Sequence, residues 1–228
     1  KSLLGMHFVS EGHKLGEASL VVNFEEFPEV YMKRAALVGM DLEAARAKGL
    51  HEVLFLRPLD LSVDEAVYGI TDAIKRIKAK RVVIDSLSGF ELAVAPSFRE
   101  DFRESIYRMI GSLTRLGVTI VATIEIQETF TSFALSPHAI SILSDNVIRL
   151  RYVELDGELS RVMVIMKMRN SQHSKKIYQF KVSSEGVVIQ GPLKNYLGLI
   201  SGLARPMSDH EPLPDLPHEH GQAPFETK

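Results

Sequence analysis

Two adjacent carboxylates, Glu25 and Glu26, follow the apolar run Leu20-Val21-Val22-Asn23-Phe24. A second apolar run, Arg81-Val82-Val83-Ile84, stops at Asp85-Ser86. If both are strands of an open α/β sheet, their carboxyl ends face the ligand crevice. Acids placed there suit a hydrated metal and an activated water, the chemistry of nucleotide hydrolysis. Asp85 is placed to hold Mg²⁺, directly or through water; the plainer alternative is a carboxylate capping the next loop. Neighbouring residues at a strand end point to opposite faces, so one of Glu25 and Glu26 faces the metal. The other is left to pair with a neighbour. Taken without the other signals, the pair also reads as a solvated acidic turn before Pro28.

Lys1-Ser2 stands directly before a helical pattern. In a phosphate-binding loop, glycines turn backbone N–H groups toward the phosphates, Lys reaches the outer phosphates and Ser or Thr ligates Mg²⁺. Only the last two residues of that pattern are present. A Lys-Ser dipeptide by itself says almost nothing; it gains weight from Glu25, Glu26 and Asp85. Further on, Lys167 and Arg169 flank Met168 and share one face of a strand end. Two cations there form an anion site. Facing a neighbouring subunit, they become a charge-stabilising finger of the kind worth ~10³–10⁵ in rate. An exposed basic strand end is the alternative.

The elements that must position these residues follow from periodicity. A helix ends near Gly12 or Gly16, and a strand covers Ala18–Phe24. Pro28 opens the next helix, which runs to Leu37 and stops at Gly39. Val53–Leu56 is a short strand. Ser62 with Glu65 forms a capping box for a helix reaching Ile77, with Ala66, Ile70, Ala73, Ile74 and Ile77 on one face. Val82–Ile84 is a strand, 98–116 a long amphipathic helix, and Val118–Ile124 another strand. Strands alternating with helices of crossover length imply a parallel sheet covered on both faces. The rhythm then changes to two hairpins. Asn146–Glu154 meets Leu159–Met168 through Asp156-Gly157, and Lys176–Val182 meets Val187–Ile189 through Ser183-Ser184-Glu185-Gly186. The expected class is α/β: a doubly wound, mainly parallel sheet with helices on both faces, extended by antiparallel hairpins in the C-terminal half.

The 228 residues allow one α/β domain with extra elements, or two small ones. The charges, 25% of the chain, nearly cancel at net −2, so no basic surface for a polyanion is advertised and nucleic acid is not an expected partner. The absence of cysteine excludes disulfides, thiolate metal sites and Cys nucleophiles. No apolar run nears the ~18 residues of a membrane span. With no signal peptide either, a cytoplasmic setting away from membranes is expected. The ATPase-like unit is expected over 1–204. Half of the ten prolines fall in 205–228, which is expected to be a disordered tail and the place where protein partners attach. His218-Glu219-His220 lacks a third fixed ligand and reads as solvated tail.

From Lys1 to about Pro206 the chain resembles the KaiC family within the RecA-like P-loop ATPases. The resemblance is carried by Lys1-Ser2, Phe24-Glu25-Glu26-Phe27-Pro28, Val83-Ile84-Asp85-Ser86-Leu87-Ser88, Leu143-Ser144-Asp145-Asn146-Val147-Ile148 and Lys167-Met168-Arg169-Asn170-Ser171-Gln172-His173. The second and last strings are specific; the others are generic. The resemblance implies a RecA-like fold, truncated at its N-terminus inside the P-loop. It also implies ATP and Mg²⁺ held at subunit interfaces of a homo-oligomeric, hexameric ring. Lys1 and Ser2 would hold phosphates and Mg²⁺, Asp85 matches the Walker-B acid, and Glu25 and Glu26 match the catalytic pair. Lys167, Met168, Arg169, Ser171 and His173 match positions that touch ATP from the adjacent subunit. Ile200-Ser201-Gly202-Leu203 looks like the close of the second of two tandem domains. Where members autophosphorylate a Ser-Thr pair, this chain carries Ser141-Ile142, which leaves Ser141 as a single site or as a plain serine. The implied function is an ATP-binding, ATP-hydrolysing signalling ATPase, with Ser/Thr autokinase activity as its extension. The alternatives are a DNA-dependent ATPase of the RecA or RadA kind and a non-catalytic nucleotide-sensing scaffold.

Overall fold

A computed structural model describes residues 1–56, 62–93, 102–126, 142–200 and 204–207. The first half alternates helix and strand: α1 (Ser2–Lys14), β1 (Ser19–Asn23), α2 (Pro28–Ala36), α3 (Leu42–Ala47), β2 (His51–Phe55), α4 (Val63–Ile77), β3 (Arg81–Asp85), α5 (Leu87–Ala93), α6 (Phe102–Thr114) and β4 (Thr119–Ala122). The strands form one parallel sheet in the order β2-β1-β3-β4. Successive strands step to opposite sides of β1, so the winding reverses between β1 and β3. Asn23 lies opposite Asp85 in that register. By the general rule for such sheets, a reversal of this kind marks the carboxyl ends of β1 and β3 as the ligand-binding edge.

The two central strands, β1 and β3, are buried on both faces and carry mainly apolar residues, whereas the outer strands β2 and β4 are partly exposed. Leu20, Val22, Val82 and Ile84 pack with Ala66, Ile70 and Ala73 of α4 and with Phe102, Ile106 and Met109 of α6. The alternate residues, Val21 and Val83, pack with Met6 and Val9 of α1 and Tyr31 of α2. This two-residue alternation sorts one strand between two cores. α1 lies close on β3: a Cβ on Gly5 would sit 2.9 Å from Val83 Cγ1. Ser62 caps α4 by accepting the Glu65 N–H at 3.2 Å while Glu65 accepts the Ser62 N–H at 3.0 Å, as the capping-box spacing predicts. The short helices α3 and α5 are additions to the expected elements. Residues 98–101 of the expected long helix lie outside the described residues.

The second half is antiparallel: β5 (Asn146–Leu155), β6 (Glu158–Met168), β7 (Tyr178–Ser183) and β8 (Gly186–Pro192), in that order across one sheet. Asp156 and Gly157 join β5 to β6 with φ of 52° and 81°, the left-handed pair a tight hairpin requires. Among the described residues these hairpins form a four-stranded sheet of their own, so they extend the fold as a second sheet. Its β7–β8 turn docks on α1. The Val187 N–H donates to His7 Nε2 at 2.8 Å, and a Cβ on Gly186 (φ 87°) would run into the same nitrogen. β9 (Tyr196–Leu197) pairs with β10 (Arg205–Pro206). The first residues assigned to the tail are therefore strand; 208–228 lie outside the described residues. No helix among the described residues is long and apolar enough to cross a membrane.

Candidate functional site

α1 runs antiparallel to the sheet, so its N-terminus stands at the crevice and its C-terminus at the opposite edge. Two contacts fix this direction. Gly12 lies against Arg81 at the start of β3, and Lys1 Nζ donates to Glu125 Oε1 (2.8 Å) and Ile124 O (3.4 Å) just past β4. The N-terminus of such a helix favours negative ligands. Ser2 is the first residue of the helix.

The acids are individually held. Asn23 Oδ1 accepts both the Glu25 and Glu26 N–H groups at 2.9 Å, turning the chain sharply at the end of β1. The two side chains then part. Glu25 is exposed, and its Oε1 accepts the Ser86 hydroxyl at 3.1 Å across the β1–β3 gap. Ser86 Oγ accepts the Gly89 N–H at 3.0 Å. Glu26 turns away to an ion pair with Arg34 of α2 at 2.7 Å, and Arg34 lies over the Tyr31 ring. Asp85 is buried, with Oδ1 accepting the Thr123 hydroxyl at 2.6 Å. A serine hydroxyl and a buried, oriented carboxylate are hard oxygen donors, the set that suits Mg²⁺.

The cationic motif lies elsewhere, on the second sheet. Lys167 Nζ donates to Ser144 O at 2.8 Å. Arg169 donates to Ile142 O at 3.0 Å and reaches Asp145 Oδ1 at 3.4 Å. Met168 pairs with Asn146 in the β5–β6 ladder, and Ser171 and His173 follow in the segment leading to β7. Ser141 lies outside the described residues. The crevice residues and the β6-end residues thus occupy two different sheets.

Several residues at the crevice were not singled out by sequence. Thr123 and Ser88 act through tertiary hydrogen bonds that no local pattern marks, and Ser86 combines a tertiary bond to Glu25 with a local one from the Gly89 N–H. Glu125 did carry a signal, since it follows the expected strand Val118–Ile124 as Glu25 follows Ala18–Phe24. The hydrogen bond from Lys1, then the lysine's charge, holds its carboxyl below the usual range. Away from the crevice, His13 Nε2 meets Ser19 Oγ at 2.7 Å, and Ser19 Oγ meets His51 Nδ1 at 2.9 Å, a chain at the amino ends of β1 and β2.

Comparison with known proteins agrees with this geometry. The family described as "ATPase: KaiC" matches residues 1–194. The chain is similar to the circadian clock oscillator protein KaiC of Picosynechococcus sp., 30% identical over 202 residues, 89% of this chain and 39% of that protein. It is equally similar to the KaiC of Rippkaea orientalis, at 30% identity over 89% of this chain and 38% of that protein. The circadian clock protein KaiC3 of Synechocystis sp. is also 30% identical, over 89% of this chain and 39% of its own length. The chain thus spans about two fifths of the curated relatives it matches. A profile match over most of the sequence, on a parallel sheet with acids at its carboxyl edge, makes this chain a member of the KaiC ATPase family.

Proposed function

We propose that this domain binds ATP with Mg²⁺ at the β1–β3 crevice and hydrolyses it. The observation that supports this reading most is the placing of Lys1, at the start of α1, beside the carboxyl end of β4, with Glu25 held by Ser86 next to Asp85 at the carboxyl end of β3. Lys1 and the α1 N-terminus bind the outer phosphates. Ser2 and Asp85 hold Mg²⁺, which when bound neutralises charge on the phosphates. Glu25, kept in place by Ser86, orients the attacking water and accepts its proton, a role worth ~10²–10⁴ in rate. Glu26, committed to Arg34, supports the turn that presents Glu25.

The site is completed in a homo-oligomeric, hexameric ring. Lys167 and Arg169, with Met168, Ser171 and His173, approach the phosphates of the adjacent subunit and stabilise charge there. Their place on a separate sheet supports action in trans. Ser141, followed by Ile142 where a threonine would complete a pair, is the acceptor in a single-site autokinase reaction, and the chain acts in signalling. Mg²⁺-dependent ATP hydrolysis, compared between the wild type and Glu25→Gln, tests the core of the proposal; equal rates overturn it. Stable ³²P on the protein from γ-labelled ATP, lost in Ser141→Ala, tests the kinase extension separately.

A further inference from the structure

The Lys1 ammonium has three N–H donors, and the fold engages two, on Ile124 O and Glu125 Oε1. The Glu125 carboxylate is presented by a fixed backbone. Its N–H donates to Ser88 Oγ at 3.0 Å. Leu87 N–H donates to Thr123 O, and Thr123 N–H to Ile84 O, each at 2.9 Å. These bonds tie the end of β4 to the end of β3 and aim Glu125 at the lysine. The Glu125 side chain is 72% exposed, so it returns to water at little cost when the lysine leaves.

A carboxylate in this place acts on a phosphate ligand in two ways of the same sign. It occupies the charge the phosphate needs, and it repels the polyanion directly. We propose that Glu125 is a built-in competitor for the phosphate-binding lysine and thereby sets how tightly the site holds nucleoside di- and triphosphates. This rests on the nucleotide-binding reading above. When a phosphate oxygen arrives, Lys1 exchanges the carboxylate for it. Glu125 stays pinned through its backbone to Ser88 while its side chain turns outward. The competition eases product release as well as limiting substrate affinity, so Glu125 is a positioning residue that tunes occupancy.

Equilibrium titration with a ribose-labelled fluorescent ADP, in Mg²⁺ and at low salt, tests this. Exposed ion pairs are weak, so Glu125→Gln should tighten binding by roughly two- to fivefold. The gain should shrink as ionic strength rises. Glu125→Asp keeps the charge but loses reach, and should tighten binding less than the Gln variant. In steady state, Glu125→Gln should lower KM without raising kcat. Unchanged affinity in Glu125→Gln overturns the proposal, and weaker affinity also overturns it by making Glu125 a support for Lys1. If the wild type itself fails to bind the labelled ADP, the nucleotide reading falls and takes this inference with it.

Discussion

Gly89→Ala separates the effect of Glu25 placement from stability. A Cβ at position 89 would lie 2.7 Å from Glu25 Oε1, with Glu25 Cγ and Cδ at 3.2 and 3.3 Å. Ordinary contact begins near 3.4 Å, so the carboxylate must retreat by about 0.7 Å, beyond the ~0.5 Å a catalytic group tolerates. A misplacement of about 1 Å can cost ~10² in rate. The expected kcat loss is therefore about 10- to 100-fold. KM should change little, because Lys1 is untouched. Stability should move the other way: position 89 is inside α5, where Ala is favoured over Gly by ~1 kcal/mol. The carboxylate end of a flexible side chain can give way without disturbing the core. Phosphate release at saturating MgATP and thermal unfolding, measured on the same preparation, read both effects. A kcat within twofold of wild type would refute the placement of Glu25; a large drop in Tm would refute the claim that only the carboxylate moves.

Thr123→Val removes the hydroxyl that serves buried Asp85, and should cost ~1.5–3 kcal/mol in urea denaturation; no loss would mean the bond contributes nothing. Arg34→Ala should cost about 1 kcal/mol, as a half-buried pair does. Consistent with that supporting role, Glu26→Gln should retain more hydrolysis than Glu25→Gln; the reverse order would exchange their roles. Burial, then His13 and Arg46, hold the His51 pKa down at about 3. The unfolded chain, with a His pKa near ~6.5, therefore takes up this proton first. Stability present above pH ~6.5 should fall toward pH 3 by up to ~1.4 kcal/mol per unit. Urea titrations from pH 7 to 4 should show a shallower slope in His51→Gln than in wild type; equal slopes would sink the assignment.

The centre of the sheet is legible because β1 and β3 are buried on both faces, which leaves apolar runs such as Leu20–Val22 and Val82–Ile84. Ser62 and Glu65 marked α4 at the correct residue because a capping box is local chemistry. Asp156-Gly157 marked the β5–β6 turn for the same reason. The six residues of α3 and seven of α5 are too short to show a helical period. At the crevice, the adjacency of Glu25 and Glu26 foretold diverging side chains but not which one would turn inward. That depended on Arg34, eight residues beyond Glu26, and Ser86, 61 beyond Glu25. Glu125 obeys the rule that exposed Glu25 and Asp85 as candidates, an acid just past an apolar strand. Its partner, Lys1, lies 124 positions away and is supplied by the fold alone.

The His7–Val187 hydrogen bond spans 180 positions of chain. During synthesis at ~5–20 residues per second, α1 emerges roughly 10–40 seconds before the amide that covers its flank. A nascent chain halted before Val187 already holds every described strand of the parallel sheet, yet α1 still presents an unclaimed imidazole acceptor. Docking of the β7–β8 turn on the helix that carries Lys1 thus follows the emergence of the parallel sheet beneath that helix.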